Sequence, residues 1–307
     1  MATAFRLVGT ESESPLANPV DLPALDDQID ACQTQIDSLH QEIDHLRSRD
    51  RAINFYMHRL DEELRLAARL QQDFLPKSLP QIGPVRFHTV YRPAGYVSGD
   101  LYDVFRLDEK HVGFYIADAV GHGVPAALLT MFIKNALVTK EITGGAYRLL
   151  PPAESLNRLN QTLISQNLSQ ATFATAVYGI IDTSACRITL ARAGHPCPVI
   201  LPADPTHPSR ELHCDGSLLG IFPDEDYAEI SLDLSPGDRL FLYTDGIELS
   251  FGSGEAIDAT RWRSELEEFR TLPGEDLMAR FSSHIDHETG SISPQDDLTI
   301  VLLEIAR

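Results

Sequence analysis

Cysteine is scarce in this chain of 307 residues, and the four present, Cys32, Cys186, Cys197 and Cys214, show no C-x-x-C spacing. Neither a zinc site nor a disulfide framework is read from them, and two lie in apolar settings where cysteine acts as a small hydrophobe. Positive charge is also short. The formal net charge is -20, so the arrays of Lys and Arg with which proteins hold nucleic acid are missing. No apolar segment reaches membrane-spanning length, and the N-terminus has no basic stretch followed by an apolar run. These absences lead us to expect a cytoplasmic protein with neither nucleic acid nor membrane as partner. No internal repeat is visible. What is there is 43% hydrophobic residues, ample for one large globular domain plus an extension.

Residues 1–22, rich in Ser, Glu, Pro and Thr, have no period and read as a flexible leader. From Leu25 the apolar residues fall into alternating gaps of four and three. Leu25, Ile29, Cys32, Ile36, Leu39, Ile43 and Leu46 set the register, which continues through Ile53, Met57, Leu60, Leu64, Ala67 and Phe74. Asp50 and Gln71 are polar breaks at a positions. A sustained seven-residue repeat marks a left-handed coiled coil, and Ile at the early a positions with mostly Leu at d favours two parallel strands. Glu42 and Arg47 are spaced to pair across such a dimer. At about 1.5 Å per residue the helix would run on the order of 75 Å, longer than one domain face covers. The alternative is a single helix lying on the globular domain. Leu66 and Leu70 add a second apolar edge to the lower half, which suggests that this half switches between its twin and the domain.

Pro76, Pro80, Gly83 and Pro84 end the helix. The expected organisation is therefore a leader at 1–22, a coiled-coil dimerisation linker at 23–75 and one globular domain at 76–307. Strands are expected near 86–91, 101–107, 111–118, 173–182, 187–193, 198–201, 228–234, 239–244 and 298–305, with short acidic or small-residue turns between several of them. Helices are expected at 125–141, 152–168, 260–269 and 275–287, the first apolar nearly all round and so buried between layers. Meandering strands with helices in separate pairs indicate an α+β fold.

Acidic residues recur at strand ends and glycine turns. Asp100 follows Ser98-Gly99, Asp118 precedes Gly121-His122-Gly123, Asp245 precedes Gly246, and Asp296 and Asp297 precede the apolar run from Leu298. Taken singly, a strand-end Asp is more often a turn former or helix cap. Carboxylates that face one another unneutralised repel and raise one another's pKa, a conflict that bound cations resolve. Oxygen ligands without His or Cys favour Mg2+ or Mn2+ over zinc. Two such ions about 3.5–4 Å apart can clamp the oxygens of an in-line displacement and bring the pKa of a water down towards about 7.

Five segments, SGDLYD at 98–103, ADAVGHGVPAAL at 117–128, ARAGHPCPVIL at 191–201, YTDGIE at 243–248 and DDLTIVLL at 296–303, occur in this order. Together they resemble the bacterial PPM-type, metal-dependent protein serine/threonine phosphatases of the SpoIIE/RsbU-like branch, from roughly residue 66 to the end. The resemblance implies an αββα sandwich of two antiparallel sheets flanked by helical pairs, preceded by a long coiled-coil helix. It implies two Mn2+ or Mg2+ ions bridged by Asp118, with Asp100 and the Ala119 carbonyl completing one shell and Asp245 with Asp296 the other. Asp297 either ligates or supports. The implied reaction is hydrolysis of phosphoserine or phosphothreonine on a phosphorylated regulatory protein, such as an anti-sigma-factor antagonist. Metal-activated water would attack directly, with Asp118 catalytic through that water, under control of a parallel homodimer formed by residues 25–74.

The chain departs from the family at Ala119-Val120, where only a backbone carbonyl is required, and after YTDGIE, where LSFGSGEAID replaces the usual closing Phe-Gly element. Two competing readings are a catalytically weak signalling module of the same fold and a two-metal phosphodiesterase. Among smaller signals, His122 and His195 read as turn and loop-packing residues, Arg92 and Lys134 as possible phosphate contacts outside the site, and Trp262 as packing.

Overall fold

The computed structural model describes residues 22–168, 172–251, 261–289 and 295–306. The leader, apart from Leu22, and the altered stretch at 252–260 lie outside the described residues. A single helix, α1 (Leu22–Phe74), runs for 53 residues, and the chain divides into two compact units between Asp61 and Glu62, inside that helix. In the first unit the heptad residues Ile29, Ile36, Leu39, Ile43, Leu46, Ile53, Met57 and Leu60 are all exposed. In the second unit the same stripe is partly covered, with Leu64 and Ala67 half-buried and Gln71 buried but Phe74 43% exposed.

The second unit continues with β1 (Val85–Arg92), β2 (Asp100–Arg106), β3 (His111–Ala119), α2 (Val124–Ala136), β4 (Lys140–Thr143), β5 (Ala146–Leu149) and α3 (Pro152–Ser165). There follow β6 (Ala174–Asp182), β7 (Arg187–Ala193), β8 (Val199–Leu201), β9 (Arg210–Glu211), β10 (Glu229–Asp233) and β11 (Arg239–Tyr243). The chain closes with α4 (Gly246–Ser250), α5 (Arg261–Phe269), α6 (Gly274–Thr289) and β12 (Leu298–Ile305). One sheet has the order β1-β12-β11-β8-β9 and the other β10-β7-β6-β3-β2, with antiparallel pairing throughout both.

Both faces of each sheet are covered, which is why the central strands read as continuous apolar runs. Along β3, Val112, Phe114 and Ile116 point into the layer between the sheets. The alternate residues Tyr115, Ala117 and Ala119 pack with Leu129 and Ile133 of α2 and Leu156 and Leu159 of α3. Along β12, Val301, Leu303 and Ile305 face the other sheet, while Leu298, Ile300 and Leu302 meet Trp262, Leu277 and Phe281 of the second helical pair. The result is the αββα sandwich.

Two expectations need correction. The helix expected at 125–141 stops at Ala136, and Lys140–Thr143 instead pairs with Ala146–Leu149 as a hairpin. Its two-residue loop is Gly144-Gly145, at φ 59° and 88°, the left-handed conformation a tight hairpin turn needs. Nor is α2 buried all round: Ala126, Leu129 and Ile133 are buried, but Leu128 is 66% exposed.

Candidate active site

Alternation along the strands brings the acids together at one end of the sandwich. Asp100 begins β2 and Asp118 nearly ends β3, and the two are direct cross-strand partners. Their side chains therefore leave the sheet on one face, the face that Ile116 and Tyr102 turn toward the other sheet. Like charges directly opposite one another in a sheet are destabilising. From the facing sheet, Thr244 just after β11 and Thr299 in β12 both donate their hydroxyls to Asp100 Oδ2, each at 2.7 Å. Thr244 is itself fixed by Thr299, whose amide donates to its hydroxyl at 2.9 Å.

The loops bearing Asp245 and Asp296-Asp297 are held in backbone contact by Gly246. A Cβ added there would fall 2.0 Å from the Asp297 carbonyl oxygen, so the Asp-Gly order is a packing requirement. Asp245 stands at the N-cap position of α4 but makes no capping hydrogen bond with its side chain. The ordinary structural use of a strand-end Asp is thus not made here. Asp297 is used structurally: Ala94 N and Gly99 N both donate to its carboxylate at 2.7 Å. It clips the loop between β1 and β2 against the start of β12.

Burial comes first in raising the Asp118 carboxyl to about 7, followed by the charges of Asp245, Asp296 and Asp297. Asp100, 1% exposed, is raised well above the usual carboxylate range by burial and then by Asp118, against the two threonine hydroxyls. Asp296 is raised by burial, with Asp245 and Asp297 adding to the shift and the Asp297 amide and His122 opposing it. Ala119 is buried beside Asp118, with its amide bonded to the Gly99 carbonyl at 3.0 Å. Asp100, Asp118, Ala119, Asp245, Asp296 and Asp297 thus lie at the adjoining ends of β2, β3, β11 and β12.

The glycine turn leads into α2 with Gly121 and Gly123 at φ 87° and 74°. His122 is exposed. His195 is 1% exposed and bonded through Nδ1 to Thr175 Oγ1 at 2.7 Å, the packing role expected of it. Arg92 is held by Ser282 and Asp286, and Lys134 pairs with Asp103. Trp262 is fully buried and stacks on Phe241.

Three residues beside the acids escaped notice in the sequence. Thr244 directly precedes Asp245 and Thr299 follows Asp297 by two positions, both on the inward side of the alternation. Gln71 donates to the Ser98 carbonyl at 2.7 Å and accepts from the Ser98 amide at 2.9 Å. The residue read as a break in the heptad is therefore the side chain that fastens α1 to the segment leading into Asp100. The signal was the break itself, a polar group on an apolar seam.

The chain has counterparts among known proteins. The chain matches the family model of stage II sporulation protein E (SpoIIE) over residues 108–306, and it belongs to that family. It is 30% identical over 246 residues to the phosphoserine phosphatase RsbP of Bacillus subtilis, covering 79% of this chain and 58% of that protein. With the phosphoserine phosphatase RsbU of the same organism it shares 31% identity over 188 residues, 61% of this chain and 54% of RsbU. The chain thus spans a little over half the length of these relatives. The solved SiaA-PP2C domain of Pseudomonas aeruginosa superposes with a TM-score of 0.68 at 23% identity, over 81% of this chain and 98% of that domain.

Proposed function

We propose that this chain is a metal-dependent protein phosphatase acting on phosphoserine or phosphothreonine. The observation that carries this reading is the convergence of Asp100, Asp118, Asp245 and Asp296, with burial and the neighbouring acids raising Asp118 to about 7. A fold does not raise buried acids against one another without a use for the charge. The all-oxygen donor set fits two Mg2+ or Mn2+ ions. Asp118 would stand between them, with Asp100 and the Ala119 carbonyl on one side and Asp245 and Asp296 on the other. Such ions, when bound, supply charge neutralisation and a water of lowered pKa.

The chain's own residues do the positioning. The two threonine hydroxyls hold one oxygen of Asp100, whose cross-strand partner is Asp118. Asp297 keeps the loop before Asp100 in place, a supporting use of its carboxylate. The hydroxyls of Thr244 and Thr299 are engaged with Asp100, and that of Ser98 accepts from the Asp100 amide at 3.0 Å. None is free to act as nucleophile, which favours direct attack of water on phosphorus without a phosphoenzyme.

The phosphoserine phosphatases among the relatives support phosphoserine as the group attacked; the substrate we propose is a phosphorylated regulatory protein, such as an anti-sigma-factor antagonist, in the cytoplasm. The exposed heptad face of residues 29–60 supports a parallel homodimer through α1. The clip from Gln71 to Ser98 gives that helix a handle on the site, the basis for regulation through the dimer. Light scattering should return twice the chain mass, falling to one chain in Ile36→Asp/Ile43→Asp; a monomeric wild type would remove the dimer from the proposal. The activity is tested by Mn2+-dependent hydrolysis of a phosphoserine peptide. Asp118→Asn should cut kcat/KM by about a thousandfold or more, since it removes charge from the centre of the acid set. Equal turnover by the two proteins sinks the mechanism. Turnover of phosphodiesters alone, or of nothing, favours the competing readings.

A further inference from the structure

A second cluster lies outside the acid end and has a different chemistry. Cys197 stands two residues before β8, Glu211 ends β9, and His213 follows two residues later. The β8–β9 register pairs Val199 with Glu211 and Ile200 with Arg210, and the Leu212 amide extends it by donating to the Pro198 carbonyl at 2.8 Å. Continued one step, the register sets Cys197 opposite His213, with Glu211 on the same face of the ribbon two residues back. Cys197 Sγ lies 3.5 Å from His213 Nδ1, and Glu211 Oε2 lies 3.5 Å from His213 Nε2. One ligand atom from each residue can be chosen so that all three lie within 4.8 Å of one another, the one such group of His, Cys, Asp or Glu found among the described residues. Cys197 and Glu211 are half-buried and His213 is exposed, so an ion has a path in.

We propose that Cys197, Glu211 and His213 form a transition-metal site, for Zn2+ in the first place, separate from the oxygen-only acid end. Sulfur and imidazole select Zn2+ over Mg2+ and Mn2+. With bonds of about 2.3 Å to sulfur and about 2.0 Å to nitrogen and oxygen, a tetrahedral ion needs ligand-to-ligand edges of roughly 3.3–3.6 Å. Closing the present spacing of up to 4.8 Å to that value takes small side-chain adjustments of Cys197, Glu211 and the exposed His213. Three protein ligands leave the fourth position to water. Binding breaks the Cys197 S–H bond, forms a sulfur–metal bond and releases the proton to solvent; burial raises the Cys197 thiol, so the ion must displace that proton. Glu211 has an outer partner ready. Its other oxygen pairs with Arg263, whose guanidinium lies 5.1 Å from the centre of the Trp262 ring and reaches the Tyr243 hydroxyl at 3.4 Å. An outer partner of this kind orients a ligating carboxylate. Occupancy pins the short edge strand β9 to β8 and, through Arg263, to α5.

The test uses Co2+ as a spectroscopic stand-in for Zn2+, added to the full chain in excess Mg2+ so that the oxygen site is satisfied. One equivalent should produce a thiolate-to-cobalt charge-transfer band in the near-ultraviolet, which one equivalent of Zn2+ abolishes, with a change in the emission of Trp262. Cys197→Ser should lose the band, and His213→Ala, at an exposed position that leaves folding intact, should weaken binding at least tenfold. Cys214→Ser and Asp118→Asn should leave the band unchanged. A wild type without a thiolate band overturns the proposal, as does a band that survives Cys197→Ser. Loss of the band in Asp118→Asn also overturns it, by assigning the ion to the acid end.

Discussion

Two kinds of carboxylate stand at the open end of the sandwich. Asp297 and Asp100 are built into the protein: the first receives two backbone amides, the second two threonine hydroxyls. Asp118 and Asp245 have no such support. The influences on Asp118 are burial and other acids, with no hydrogen-bond donor among them, and Asp245 forgoes the cap its position offers. The difference separates residues that make the site from residues that await something in it. Asp297 in this way stabilises the metal-free fold, whereas Asp118 costs stability until a cation arrives, and Asp100, raised by burial and by Asp118 in spite of its threonine partners, shares that cost.

Substitution should therefore move stability in opposite directions for the two kinds. Asp297→Ala leaves the Ala94 and Gly99 amides without their acceptor in a largely buried loop. Charge-assisted bonds of this sort make the expected loss about 3 kcal/mol, read from urea unfolding in the presence of a chelator. Asp118→Asn, measured in the same way at neutral pH, should lose nothing or gain. If both substitutions destabilise alike, Asp118 has structural bonds that the distinction denies it.

The fold was readable because β3, β6, β11 and β12 are largely apolar runs and outer strands such as β1 and β10 alternate, each ended by a turn. The exceptions have local causes. The Gly144-Gly145 turn is masked because the apolar pattern of α2 runs on into Val138 and Ile142, although a Gly-Gly pair between two short runs is a hairpin signal. Strand β9 is two residues long, and no periodicity can reveal it. At the site, the acids were legible by their recurrence, whereas their supports were not. Thr244 and Thr299 look like ordinary strand residues until the two sheets face each other, and the partnership of Gln71 with Ser98 crosses 27 positions of chain. Cys197, Glu211 and His213 were passed over for the same reason, because cross-strand register brings them together and sequence spacing does not.

A subtler way to divide the two kinds of carboxylate is the pH dependence of the metal-free protein. Asp118 is raised from 3.8 to about 7, so between these values the folded chain holds a proton that the unfolded chain has released. That contribution is fully present below about pH 4 and is lost as pH rises through about 7, at up to about 1.4 kcal/mol per pH unit. Asp100 and Asp296 are shifted in the same direction. Buried His195, lowered from 6.5 to about 3, acts oppositely, since the unfolded chain takes up its proton first and stability falls as pH drops below about 6.5. The wild-type profile alone therefore mixes both signs, and the difference from Asp118→Asn isolates the acid. Asn resembles the protonated Asp, so the two proteins should be nearly equal in stability below about pH 4, with the variant pulling ahead between about pH 4 and about pH 7 and keeping a constant margin above that. Saturating Mn2+ should reverse that order by stabilising the wild type alone, because a cation that binds only the folded state adds its binding free energy to folding. A difference that does not change with pH would mean that Asp118 is already neutralised within the protein, and the division between the two kinds of carboxylate would fail at its central residue.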